Sequence, residues 1–274
     1  RAVCRVRGLG NAGKMMLERC REIYDYREMV RSLVKRDLKG RYKGSVLGFF
    51  WTFLNPLLQL CVYTLVFSTI MRAGIRDYYL FLFVALIPWI FFSTSLTGGA
   101  RCILTQQDMV KKIYFPREVL PVSYVTSQFI NMLLGFAVIF PVLLFAGYPL
   151  RLGPLLCLPV IMIVEYILAL GFTMVMSAVT VYVRDMEYIL GIVAMAWQFL
   201  TPVMYSADQV PEHVRWIFSV NPMSYVITAY RDILYQGKIP GMETLLPAAL
   251  TGTGMLAAGW HVFQRLQKRF VEEL

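Results

Sequence analysis

Charge is scarce in this chain, and histidine is scarcer. Only 16% of the 274 residues are Asp, Glu, Lys or Arg, where a soluble domain is nearer a quarter, and there are two histidines. A soluble globular protein is therefore not expected. His213 and His261 fall on opposite sides of the membrane predicted below, so they cannot share a site. With no acidic pair and no Cys/His cluster, hydrolytic or metal chemistry has no visible starting point. The five cysteines stand at 4, 20, 61, 102 and 157, none at metal-ligand spacing, so free thiols and no disulfide framework are expected. The N-terminal tail has no apolar h-region and so no visible cleavable signal peptide. Met15 or Met16 is a candidate start, and residues 1–21 are expected to be a basic, disordered tail.

One apparent motif is also incomplete. Residues 8–14 (GLGNAGK) fit G-x-x-x-x-G-K, but Met15 stands where the Mg²⁺-binding Ser or Thr belongs. No apolar strand precedes it. ATP binding is not expected of this chain, and any energy would come from a partner.

What the chain has in excess is apolar length. Hydrophobic residues make up 58% of it, and its mean hydropathy is +0.57. A bilayer core of roughly 30 Å needs about 20 apolar residues per helix. Six runs meet that need: 45–71, 79–100, 119–147, 152–182, 188–205 and 243–264, the fifth being the shortest. The runs are continuous, not alternating, which excludes a strand barrel. The tail to Lys43 carries 13 Lys and Arg. The gaps after spans two and four and the C-terminal tail carry 4, 1 and 3, while the other three gaps share 6. The positive-inside rule then places both termini in the cytoplasm. The net charge of +10 gathers beside the membrane, which suits anionic lipid or an acidic partner. Nucleic acid is not expected, because no binding motif accompanies the charge.

The order of elements follows. Over 22–43, Ile23, Tyr26, Val30, Leu33, Val34 and Leu38 recur at helical spacing, with Arg27, Arg31, Lys35, Arg36 and Lys39 mostly on the other face. That is an amphipathic helix in the membrane interface. Residues 44–270 form the transmembrane domain, and 265–274 the cytoplasmic tail. In span one, Pro56 kinks the helix, and Asn55 and Gln59 share a face that should not meet lipid unpaired. In span two, Pro88 bends the helix, and Ser93, Thr94 and Ser95 are expected to bond to freed carbonyls. Span four holds Glu165, an acidic residue deep in a span, which should face the bundle or a cavity. A proton relay would need partners, and no intramembrane His, Lys or Asp accompanies it.

Two gaps carry pattern. Residues 101–118 include Asp108, Lys111 and Lys112, then YFPREVLP with Arg117 and Glu118 between two prolines: a rigid knob for a soluble partner, or a solvated connecting loop. Residues 207–242 are too polar to span, yet hold two short helical stripes broken at Pro222. They read as a re-entrant pair of gate helices at the outer mouth, with Trp216, Tyr225 and Tyr230.

The runs KKIYFPREVLP (111–121), VRDMEYIL (183–190), TPVMY (201–205) and NPMSYVITAYRDIL (221–234) stand in the order found in ABC-2-type permeases. So do GSVLGFFWTFLNPLLQLCVYTLVFS (44–68) and IPWIFFSTSL (87–96). The chain most resembles the polysaccharide and polyol-phosphate exporters of O-antigen, teichoic acid and capsule systems, over about residues 22–270. The resemblance implies an all-α permease subunit in the bacterial inner membrane, working as a homodimer. Two copies of a separate ATPase would bind ATP and Mg²⁺ below it, and the pair would export a lipid-linked glycan. It also implies an interface helix, a coupling segment after span two and gate helices before span six.

Sugars have polar edges and apolar C–H faces, so their path wants aromatic platforms. Trp51, Tyr63 and Phe67 in span one, Trp89 in span two, and Trp197 and Phe199 in span five are the candidates; the alternative is the ordinary aromatic belt of a membrane interface. For coupling to the ATPase, the candidates are Asp108–Glu118 together with Arg184, Asp185 and Glu187; the alternative for Arg184 and Asp185 is that they anchor a helix end. An ion-gradient carrier built on Glu165 is the rival class. It would need intramembrane ion ligands and often internal repeats, and neither is evident. A membrane-embedded glycan-processing enzyme would need clustered acids or a metal site.

Overall fold

Runs of Leu, Ile, Val and Phe too long for a strand satisfy their backbone polar groups internally only as helices. The computed structural model describes residues 22–40, 44, 47–70, 74–148, 151–206 and 210–274, and it is all-helical among them. The expected tail 1–21, with its glycine-rich run, Cys4 and Cys20, lies outside the described residues, as do 41–43 and 207–209.

Helix α1 spans Arg27–Gly40. Its basic residues are exposed, while Val34 is buried against a later helix. After a short 3₁₀ turn, α2 runs Trp51–Thr64 and closes in a π turn, Leu65–Ile70. Then follow α3 (Tyr78–Ala100), the short α4 (Gln107–Lys112), α5 (Val119–Phe145) and α6 (Leu152–Tyr182). Helix α7 is Met186–Phe199, α8 is Trp216–Val220 and α9 is Pro222–Leu234. Helix α10, Met242–Leu266, is followed by a 3₁₀ turn and α11, Phe270–Glu273.

Four of these segments are long and apolar enough to cross a membrane: Trp51–Ser68, Tyr78–Ala100, Val119–Phe145 and Leu152–Tyr182. Helix α7 has 14 residues, about 21 Å at helical rise, and ends before Pro202, whose missing amide cannot continue it. The apolar run to 205 therefore holds a helix and then a turn. Helix α10 has 25 residues but includes Glu243, His261 and Arg265.

The core is built around α3, which packs on α2, α5, α6, α7 and α9. Phe83, Phe91, Phe92, Leu82 and Leu86 are among its fully buried side chains. The most extensive helix pair is α6 with α10. Glycine makes that approach: a Cβ on Gly259 would lie 2.3 Å from the Gly171 carbonyl oxygen, and one on Gly171 would lie 2.6 Å from the backbone of Met255 and Leu256. Small residues let spanning helices close to backbone contact in this way.

In α3, Ser93 and Thr94 donate to the Ile90 carbonyl at 3.2 and 2.6 Å. They do not reach Val84, whose carbonyl Pro88 leaves free, because a hydroxyl reaches back only three or four residues. Ser95 Oγ has no hydrogen-bond partner among the described residues.

Candidate functional site: a clamp at one end and a latch at the other

At the end of the bundle where α3 stops and α5 starts, the 101–118 segment splits into two parts. Asp108 in the first turn of α4 and Lys111 and Lys112 in its last turn are exposed, each favourably placed on the helix dipole. Ile113 and Tyr114 project outward, Tyr114 at 94% exposure, while Phe115 turns into the core. Arg117 and Glu118 then turn away from solvent. The Arg117 guanidinium donates to the Gln267 carbonyl and lies 5.7 Å above the Phe270 ring. Burial pulls it below its usual pKa, and the Glu118 carboxylate opposes that shift. Glu118, 1% exposed, accepts from the side-chain amides of Gln264 and Gln267. The two residues thus clamp the knob to the end of α10. Beside the clamp lies a cleft of about 770 Å³ whose lining includes Tyr26, Lys111, Tyr114, Gln264 and Lys268. Arg184 and Asp185 are exposed on the turn before α7, and Glu187 pairs with Arg101 at 2.8 Å.

The other end of the bundle, where α3 begins, is latched through α9. Asn221 is its N-cap, accepting from the Met223 amide, and Pro222 fills the first helical position, where no N–H is needed. The same side chain holds the end of α7. Its Oδ1 accepts from Trp197 Nε1 at 2.9 Å, and its Nδ2 donates to Thr201 Oγ1 and the Leu200 carbonyl. One turn from the end of α9, Arg231 is 6% exposed and has no carboxylate partner. It donates to the carbonyls of Val203 and Tyr205, and its guanidinium lies 3.6 Å over the Phe81 ring. Tyr78 donates to the Met204 carbonyl at 2.7 Å. The 201–205 run is thus gripped from α3 and from α9. Tyr230 stacks on Phe136 and donates 2.7 Å to Glu165 Oε2, while Glu165 Oε1 has no partner. Tyr225 donates to the Ser219 carbonyl, and Trp216 is exposed.

The six aromatic candidates fall in different surroundings. Trp89 is 3% exposed and packs on Phe92. Trp197 meets Phe92 and Phe172 edge-on at 5.1 and 5.3 Å. Trp51, Tyr63 and Phe67 are half-buried along the first span, with Phe67 stacked near Tyr78, and Phe199 is exposed. Asn55 and Gln59 are exposed on α2. Sequence reasoning passed over Asn221, Arg231, Gln264, Gln267, Gln128 and Asn131. The Asn-Pro pair was a readable N-cap, and the last two are amides inside an apolar run. The partners of Arg231 and of the Gln264–Gln267 pair are far away in the chain and leave no local signal.

An all-helical bundle in which four helices are long and apolar enough to cross a membrane, tied at both ends by buried polar contacts, is a multi-pass membrane protein. The chain belongs to the ABC-2 type transporter family, whose model matches residues 28–235, and so to the membrane transport proteins. It is 36% identical over 264 residues to the O-antigen export system permease protein RfbA of Myxococcus xanthus, covering 94% of this chain and all of that protein. It is 32% identical to a protein of the same name from Klebsiella pneumoniae, covering 88% of this chain and 93% of the relative. The polysialic acid transport protein KpsM of Escherichia coli is 22% identical over 216 residues, 77% of this chain and 82% of that protein.

Proposed function

We propose that this chain is the permease subunit of an exporter that carries a lipid-linked polysaccharide across the bacterial inner membrane, driven by ATP hydrolysed with Mg²⁺ in a separate subunit. The glycan is of the O-antigen, teichoic acid or capsule type. The observation that carries the reading is full-length similarity to O-antigen export permeases.

In this reading the chain crosses six times, with α7 and the following turn as the fifth crossing and α10 as the sixth, and both termini are cytoplasmic. Two copies pair, with two ATPases beneath. The exposure of α2 and α7 supports pairing: Leu190 and Ala194 are the buried residues of α7, and α2 presents Asn55 and Gln59, which lipid would leave unsatisfied. The clamp end is cytoplasmic. ATPase closure pushes α4, with Asp108, Lys111 and Lys112, and the Arg184–Glu187 turn. Arg117 and Glu118 pass that push to α10, and the glycine contact passes it to α6. Helices α8 and α9 gate the outer mouth, held shut by Asn221, Arg231 and the Tyr230–Glu165 bond.

The test is surface glycan in the native host. Deleting the gene should abolish long-chain surface glycan and leave the lipid-linked polymer inside; the cloned chain should restore export. Unchanged surface glycan on deletion would refute the reading. The rival, a gradient-driven carrier, rests on the buried Glu165. Glu165→Gln should abolish transport in a carrier and largely spare it in an ATP-driven exporter.

A further inference from the structure

Gln128 and Asn131 stand one turn apart on α5, inside the bundle. Gln128 is 3% exposed, and its Nε2 has no hydrogen-bond partner among the described residues. Oδ1 of Asn131 is also buried and unpartnered. Both side chains border a cavity of about 150 Å³, which Phe91 and Thr94 wall from α3 and Trp51 and Asn55 wall from α2.

The lining selects its occupant. Among the described residues no Lys, Arg, Asp or Glu borders the cavity, so none of them would hold a phosphate or a metal ion there. An apolar occupant such as an acyl chain would leave the two amide groups unsatisfied, each a buried polar group without a partner. A neutral sugar answers every feature: its hydroxyls both donate and accept, and its C–H face suits the Trp51 ring. A cavity of about 150 Å³ in another protein admits benzene, so this one would take one edge of a sugar ring and not enclose the whole residue. The site also lies on the entry side in the reading above. Gln128 is nine residues into α5, about 13 Å from the end that carries the Glu118 clamp. We infer that this cavity is a subsite for one neutral pyranose residue of the exported glycan, held by Gln128 and Asn131. The inference rests on the export reading, and adds to it a place and a sugar chemistry.

The test uses the full chain in a host lacking its own copy. Gln128→Leu with Asn131→Leu removes the unpartnered amides. The double variant should reach the membrane at normal level yet lower surface glycan at least tenfold. A photo-crosslinking residue at Asn55 should yield a glycan-bearing adduct, while one at Leu144, exposed at 62%, should not. Unchanged surface glycan in the double variant, or an Asn55 position without adduct during active export, would overturn the inference and leave a cavity holding only water. Equal adducts at both positions would also overturn it. If the double variant fails to reach the membrane, the crosslink decides alone. If the unaltered chain does not restore surface glycan, the export reading itself falls, a failure distinct from either variant result.

Discussion

Helices α2 and α3 both sit in segments apolar enough to cross a bilayer, but they occupy opposite positions in the molecule. In the most apolar window of α3, 78% of the residues are buried within the protein; in that of the α2 segment, 6% are. Hydropathy tells which segments leave water. It does not tell which leave lipid. The second distinction lies in the polar residues: α3 satisfies three of its four Ser and Thr hydroxyls on its own backbone, whereas α2 carries two exposed carboxamides, Asn55 and Gln59. A helix with uncovered carboxamides is one that expects something other than acyl chains. In the function proposed above, that is a second copy of the chain, the moving glycan, or both.

The sharpest way to break the comparison is a matched truncation. Phe92→Ala in α3, where the ring is fully buried, should cost about 3–5 kcal/mol, seen as a large drop in thermal stability in detergent. Its counterpart Leu58→Ala in α2, half exposed, should move monomer stability by no more than about 0.5 kcal/mol. Equal losses would show that α2 is as much a part of the monomer core as α3.

Next in size is the latch that holds the end of α7 beside α3. Asn221→Ala removes an N-cap and leaves the Trp197 and Thr201 groups short of a partner, at about 1–3 kcal/mol. Differential scanning fluorimetry of the purified chain measures it. A variant as stable as the parent would show that the α7 end is held elsewhere.

The clamp should separate coupling from folding. Glu118→Gln keeps the shape and most of the hydrogen bonding, so stability should change by about 1 kcal/mol or less. Export should nevertheless fall severalfold while ATP hydrolysis by the assembled complex persists. Export and hydrolysis falling in proportion would reduce the clamp to a structural tie. The smallest effect on the monomer belongs to Asn55→Leu with Gln59→Leu. Stability should be unchanged or slightly raised, while chemical cross-linking between copies, or surface glycan, declines.

Much of the fold was legible because long apolar runs have few alternatives. The runs read at 79–100, 119–147 and 152–182 meet helices Tyr78–Ala100, Val119–Phe145 and Leu152–Tyr182 within two residues at each end. Pro222 divides two short helices as the pattern predicts, because proline fits best at the first helical position, where no N–H is needed. The shortfall of the fifth run was hidden, since Thr201, Val203 and Met204 are apolar enough to extend a helix on paper. They turn instead, and their carbonyls and hydroxyl are taken up by Asn221, Arg231 and Tyr78. The buried places of Trp89 and Trp197 were equally invisible. An aromatic ring reads the same in sequence whether it faces a sugar, a lipid or Phe92. The Glu118 clamp joins residues almost 150 positions apart, and no local pattern announces such a pairing.

The central claim is that this chain moves glycan on energy supplied by another subunit. The most direct measurement is to purify the tagged chain in mild detergent from its native host and identify what accompanies it. A near-equimolar protein bearing a complete G-x-x-x-x-G-K-[ST] loop is the result this account predicts. A chain that comes alone, even after cross-linking in the membrane, would contradict it and turn attention to Glu165 and an ion gradient.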